Sequence, residues 1–200
     1  MKLLIIGNEN PTLFKSIIDA VRNDELPVQL VGLISSVGQN EMIDLAQDQG
    51  IPTEFVSIPS VKNSAGYYDK TLCDRAKQYQ PDLIFLIGYT RILSAEFVAA
   101  WPGKIINIHG SLLPKYAGLM REHTQAAVLA NGDKEAGCTV HIVTEKVDAG
   151  PNVAQGVVPV LEGDTPTILR CRIRDIAGDV CVEAVRIMQR SFQLDGKFAA

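Results

Sequence analysis

Asn107, His109 and Asp148 are the residues of this chain whose types and spacing could do chemistry. Asn107 and His109 stand two apart in the apolar run Lys104-Ile105-Ile106-Asn107-Ile108-His109, just after the turn signal Trp101-Pro102-Gly103. Successive side chains of a strand point to opposite faces, so Asn107 and His109 share one face and Ile106 and Ile108 the other. In an open α/β sheet the carboxyl ends of the strands open onto the ligand crevice. An amide donor and an imidazole there could stabilise an oxyanion and move protons. The plainer alternative makes Asn107 a loop cap and His109 a hydrogen-bonded core histidine. For Asp148, ahead of Gly150-Pro151, the plainer alternative is an Asx turn or loop cap.

Positioning these side chains requires a sheet, and the first half of the chain alternates short apolar runs with helix-period segments. The expected order is strand Lys2 to Ile6, helix Thr12 to Arg22, strand Val28 to Ser35, helix Asn40 to Gln49 and a short strand near Thr53 to Val56. A helix from Tyr68 to Tyr79, a strand from Asp82 to Ile87, a short helix from Ser94 to Ala100 and the strand ending at His109 follow. Such alternation implies βαβ units, hence an α/β fold with a doubly wound, mostly parallel, Rossmann-like sheet and helices on both faces. The second half changes character. A helix from about Arg121 to Ala130 and the turn Asn131-Gly132-Asp133 lead to strands Cys138 to Val143 and Asn152 to Val160, read as antiparallel additions. A long final helix opens near Thr165, capped by Asp164 or Thr165, with Pro166 in its first turn. Its apolar stripe is Ile168, Leu169, Ile173, Ile176, Val180 and Ala184.

Two hundred residues, 46% of them hydrophobic, suffice for a single domain spanning 1–200. A net charge of -4 without a Lys/Arg run gives no reason to expect a nucleic-acid or anionic-membrane partner. The apolar start, Met1 to Ile6, halts at Gly7-Asn8-Glu9, far short of a signal peptide or a span of about 20 apolar residues, so a cytoplasmic protein is expected. Cys73, Cys138, Cys171 and Cys181 form no C-x-x-C pair. Neither disulfides nor a metal site are expected.

The ordered set Asn107-Ile108-His109-Gly110-Ser111-Leu112-Leu113-Pro114-Lys115-Tyr116, Asn131-Gly132-Asp133, Gly137 to His141 and Val147-Asp148-Ala149-Gly150-Pro151 resembles the folate-dependent formyltransferases, and within them the glycinamide ribonucleotide formyltransferases of purine synthesis. Leu86 to Ser94 and Thr139 to Thr144 fall where that family carries similar sequences. The resemblance covers nearly the whole chain and implies transfer of a formyl group from 10-formyltetrahydrofolate, the co-substrate, to a primary amine. It implies that Asn107 donates to the oxyanion, that His109 stabilises it and moves protons, that Asp148 orients His109 and relays protons, and that Ser111 supports the site by hydrogen bonding. A carboxylate beside an imidazole raises the imidazole pKa, which would favour an imidazolium at the developing charge. The folate pocket would use backbone around Arg91, Ile92 and Leu93 and the loop from Val143 through Val147 to Asp148. The half 1–103 would carry the acceptor-side turn, and 104–200 catalysis and folate binding. On the acceptor side stand Gly7, Asn8, Glu9, Asn10, Thr12, Lys115 and His123, with His123 a candidate amine contact and His141 read as structural. The expected partners are small molecules, amine and folate, acting on a monomer or homodimer.

The departures from that family gather on the acceptor side. Its enzymes hold the substrate phosphate in a Gly-rich turn after the first strand. Here that turn reads Gly7-Asn8-Glu9-Asn10-Pro11-Thr12, about two residues longer, with a carboxylate, and with Pro11 removing an N–H. A glutamate facing phosphate at 4 Å costs on the order of 4 kcal/mol at an effective dielectric of 20. Ala177 stands where the family has an acidic ribose contact, and Gly118 to Gly132 is about three residues longer, adding Met120, Arg121 and Glu122. A different acceptor, an amino sugar or another small biosynthetic amine, is therefore the runner-up. Methionyl-tRNA formyltransferases usually add a C-terminal domain and a basic surface, and fit less well. A non-catalytic folate sensor would not need all of Asn107, His109 and Asp148. A dinucleotide-dependent oxidoreductase would need a G-x-G-x-x-G spacing that Gly7-Asn8-Glu9 lacks.

Overall fold

The computed structural model describes residues 1–57, 65–120 and 122–198. Its elements in chain order are β1 (Lys2–Gly7), α1 (Pro11–Arg22), β2 (Gln29–Ser35), α2 (Glu41–Asp48), β3 (Thr53–Phe55), α3 (Ala65–Gln78), β4 (Leu83–Ile87), α4 (Ala95–Ala100), β5 (Ile105–His109), α5 (Glu122–Ala130), β6 (Glu135–Ile142), β7 (Asn152–Pro159) and α6 (Pro166–Phe198). The strands form one seven-stranded sheet in the order β3-β2-β1-β4-β5-β6-β7. The pairs β1–β2, β1–β4 and β2–β3 are parallel and β6–β7 is antiparallel. This is the mostly parallel α/β sheet with C-terminal antiparallel strands that the sequence pattern implies.

The chain divides into two compact units, Met1–Ile106 and Asn107–Ala200. In the first, Leu3 to Ile6 of β1 and Leu83 to Ile87 of β4 are buried, and four of these nine side chains are isoleucine. Strands covered on both faces need continuous apolar runs, and β-branched residues suit them. Order 3-2-1-4 reverses direction between β1 and β4, the position where doubly wound sheets open a crevice. There the chain passes so closely that a side chain on Gly88 (φ 61°) would strike the Glu9 carbonyl. Helix starts follow local chemistry. Asn40 accepts from the N–H of Met42 and Ile43, and Ser94 from Phe97, while α1 starts one residue earlier than expected because Pro11 fits the first helical position.

In the second unit, β6 starts at Glu135 and not at Cys138. Pairing with β7 carries the ladder out to Glu135–Pro159, through polar and glycine positions that hide the strand in an apolar pattern. Helix α5 starts at Glu122, and the expected start at Arg121 lies outside the described residues. Thr165 caps α6 by accepting from Ile168, whereas Asp164 accepts from the Leu161 N–H and from Arg172. Ile168 itself is exposed, so the buried stripe begins at Leu169 and runs through Ile173, Ala177, Val180 and Ala184. Among the described residues no helix is long and apolar enough to cross a membrane.

Candidate active site

Strand β5 delivers Asn107 half-buried and His109 buried, with only 7% of the His109 surface exposed. Beside them β6 contributes Thr139 and His141, two residues apart and therefore on one face. Asn107 Nδ2 lies 3.2 Å from His141 Nε2, and His141 Nδ1 lies 3.1 Å from the Ile142 carbonyl. A carbonyl can only accept, so Nδ1 carries a proton, while Nε2 stands between the Asn107 amide and the Asp148 carboxylate. His141, read from sequence as structural, is thus a member of the cluster. The signal for it was the alternation Thr139-Val140-His141, but its partner lies 34 residues away in Asn107.

Asp148 completes the group. Its Oδ2 lies 3.3 Å from His109 Nδ1 and accepts from the Gly118 N–H at 2.9 Å, while Oδ1 stands 3.5 Å from His141 Nε2. Asp148 adopts φ 50°, a left-handed conformation that aspartate tolerates better than most residues. Two residues on, a side chain at Gly150 would collide with the Ile142 carbonyl, so glycine lets the loop hug the end of β6. The His141 hydrogen bond, the Gly118 N–H and the nearby His109 hold the Asp148 carboxyl below its ordinary range, against the opposing effect of burial.

The expected imidazolium does not follow. Burial pushes His109 below the ordinary histidine pKa, and the Asp148 charge and the Tyr116 carbonyl only partly offset this. A histidine held below its ordinary range with a carboxylate facing Nδ1 is suited to take up a proton at Nε2.

The loop after β5 is fixed by side chains. Ser111 Oγ donates to the Lys115 carbonyl at 2.8 Å. The buried Thr139 hydroxyl donates to the Ser111 carbonyl at 2.7 Å and accepts from the Leu113 N–H at 3.0 Å and Gln155 Nε2 at 2.8 Å. Gln125 donates to the Gly110 carbonyl. Sequence reading missed Thr139, Gln125 and Gln155, because single polar residues on a strand or helix give no pattern. Lys115 binds Asp133 with its ammonium, and His123 is exposed on α5. Val143 is half-buried and Val147 exposed in the loop before Asp148.

Within the first unit, the segment after β4 sets the Arg91 guanidinium over the Tyr68 ring, 4.8 Å from its centre, while Tyr68 and Tyr89 hydroxyls lie 3.3 Å apart. Leu93 is buried and Ile92 is 72% exposed. In the turn after β1, Asn8 Oδ1 accepts from the Ser36 N–H and hydroxyl. Asn10 (φ 69°) takes the Leu13 and Phe14 N–H groups on its carbonyl, and Glu9 and Thr12 are exposed. Ala177 is buried in α6.

The model of the formyl transferase family matches residues 1–185. Phosphoribosylglycinamide formyltransferase of Escherichia coli (strain K12) is 36% identical over 174 residues, which make up 87% of this chain and 80% of that protein. The trifunctional purine biosynthetic protein adenosine-3 of Homo sapiens is 38% identical over 160 residues, 80% of this chain but 15% of that much longer protein. The crystal structure of glycinamide ribonucleotide transformylase 1 from Symbiobacterium toebii superposes with a TM-score of 0.88 at 34% identity, over 96% of this chain and 88% of that one. With the family's match running from the first strand into α6, this chain belongs to the formyl transferase family.

Proposed function

We propose that this protein transfers the formyl group of 10-formyltetrahydrofolate to a primary amine, and that glycinamide ribonucleotide, named in its relatives, is that amine. The observation that carries the reading is the chain of contacts running from Asn107 through His141 and Asp148 to His109. The amine nitrogen attacks the formyl carbon, a C–N bond forms and the carbonyl oxygen becomes an oxyanion. Asn107 Nδ2 donates to that oxygen, and His109 takes up the proton lost by the amine, with Asp148 holding its Nδ1–H. Collapse of the intermediate breaks the bond to the folate nitrogen, which receives the proton, and both products leave neutral at the reacting atoms. Ser111 keeps the loop beside His109 in place through Lys115.

The main chain of Arg91, Ile92 and Leu93 and the loop of Val143, Val147 and Asp148 would meet the folate. Ile92 in the first unit and Val147 in the second each leave apolar surface exposed, as a contact with an apolar ligand requires. Gly7, Asn8, Glu9, Asn10 and Thr12, with Lys115 and His123, would stand on the acceptor side. The protein would act in the cytoplasm, as a monomer or homodimer.

A second reading, a different small amine such as an amino sugar, is favoured by the β1–α1 turn. Pro11 has no N–H and Leu13 gives its own to the Asn10 carbonyl, so two of the first three helical positions offer no donor to a phosphate. Release of 5,8-dideazafolate from 10-formyl-5,8-dideazafolate, run with glycinamide ribonucleotide, its dephosphorylated riboside and a panel of amino sugars, separates the readings. Turnover dependent on the ribonucleotide supports the first. Equal use of the riboside, or use of an amino sugar alone, replaces it with the second, and no release with any amine would end both.

A further inference from the structure

His109 is held between two acceptors. Nδ1 faces the Asp148 carboxylate at 3.3 Å, and Nε2 faces the Tyr116 carbonyl at 3.3 Å. A neutral imidazole has one N–H, which the charged acceptor takes, so the Nε2 lone pair is left pointing at a carbonyl lone pair. Protonating Nε2 turns that opposition into a hydrogen bond. The Tyr116 carbonyl thus raises the proton affinity of the nitrogen that must collect the amine's proton, in surroundings where burial acts the other way.

The carbonyl stays there through an unusual backbone. Tyr116 has φ 64°, uncommon for a bulky residue and needing support from its surroundings. The support converges on Asp133, which accepts from Tyr116 Oη at 2.8 Å, from Lys115 Nζ at 2.6 and 2.8 Å and from Asn131 Nδ2 at 2.6 Å. We propose that Asp133 is a positioning residue for formyl transfer: by clasping Lys115 and Tyr116 it holds the Tyr116 carbonyl against Nε2 of His109. The inference rests on the formyl-transfer reading for the reaction it serves, not for the geometry.

Asp133 lines an open cavity of about 390 Å³ with Lys115 and Tyr116, so solvent reaches the clasp. The Lys115, Asn131 and Tyr116 donors hold its carboxyl down to about 2, and it stays ionised wherever His109 titrates. The groups facing His109 are therefore Asp148 from the β6–β7 loop, the Tyr116 carbonyl from the loop after β5 and His141 from β6.

The test is an NMR titration of the His109 and His141 rings in wild type, Asp133→Ala and Asp133→Asn, with the pH profile of donor-analogue turnover beside it. Asp133→Ala should move the His109 midpoint to lower pH and leave His141 in place. The rate should fall roughly 10- to 100-fold, as expected for a displaced catalytic group, with KM for the donor analogue little changed. Asp133→Asn, which still accepts from Tyr116, should move the midpoint less. An unmoved His109 midpoint, or equal movement of both histidines with loss of thermal stability, overturns the proposal. If Asp133→Ala does not fold, Tyr116→Phe removes only the hydroxyl of the clasp, and an unmoved midpoint there overturns it equally. A wild type that titrates as expected but formylates no amine keeps the clasp and overturns the formyl-transfer reading.

Discussion

The ends of β1 and β5 are both places where a strand of this sheet hands over to a loop, yet they are finished with different materials. At the β1 end neutral groups satisfy one another, Asn8 with Ser36 and the Asn10 carbonyl with the Leu13 and Phe14 N–H groups, and the ionisable Glu9 is exposed. At the β5 end, ionisable side chains face one another at hydrogen-bond distance, with Asp148 held below and His109 also below their ordinary pKa values. Such a turn has few protons to exchange with its neighbours. A cluster whose protons can be exchanged among neighbours has more to offer a reaction, and this difference supports placing the proposed chemistry at the β5 end.

The comparison breaks most visibly if His109 is removed. His109→Ala should lower turnover by about 10²–10⁴-fold, the range for a lost acid/base, while donor-analogue binding persists. Steady-state kinetics with a fluorescence binding titration checks both. A loss below threefold would move the chemistry elsewhere.

Next in size is His141, which sequence reading took as structural. His141→Phe removes the ring nitrogen that stands 3.2 Å from the Asn107 amide and should cost roughly 10- to 100-fold in turnover through misplacement of that amide. Full activity in the variant would show that Asn107 needs no such partner.

What sequence could and could not show divides along the same line. The buried runs of β1 and β4, the helix starts at Asn40 and Ser94 and the shared face of Asn107 and His109 all rest on neighbours in the chain, and all are legible. The His141–Asn107 and Thr139–Ser111 contacts depend on strands being placed side by side, and no local pattern encodes that. The direction of the His109 shift was misjudged for a related reason: the carboxylate partner was foreseen, but the depth of burial was not. Glu135 was passed over as strand because its place in β6 comes from pairing with β7, not from its own propensity.

A smaller effect tests the scaffold under the β5 end. Thr139→Val removes the hydroxyl that serves Ser111, Leu113 and Gln155 at once and should cost about 1–3 kcal/mol of unfolding free energy, the usual penalty for orphaned buried groups. Urea denaturation measures it directly, and an unchanged midpoint would mean that water replaces the hydroxyl.

The smallest effect is on acid stability. Because the folded protein holds His109 below the ordinary value of 6.5, the unfolded chain binds its proton more readily. Stability should therefore fall as pH drops below about 6.5 and level off once the folded pKa is passed, while the Asp148 contribution is lost only under more acid conditions, below about 4. His109→Asn should flatten the stability profile between about pH 7 and 5. A variant whose profile parallels wild type would assign that slope to another group.

The most direct test of the account is a double-mutant cycle on His109 and Asp148, read as turnover of 10-formyl-5,8-dideazafolate with its preferred amine. If the cluster acts as one proton-handling unit, His109→Ala with Asp148→Ala should be little worse than His109→Ala alone. Losses that multiply would show two residues acting independently and would contradict the account.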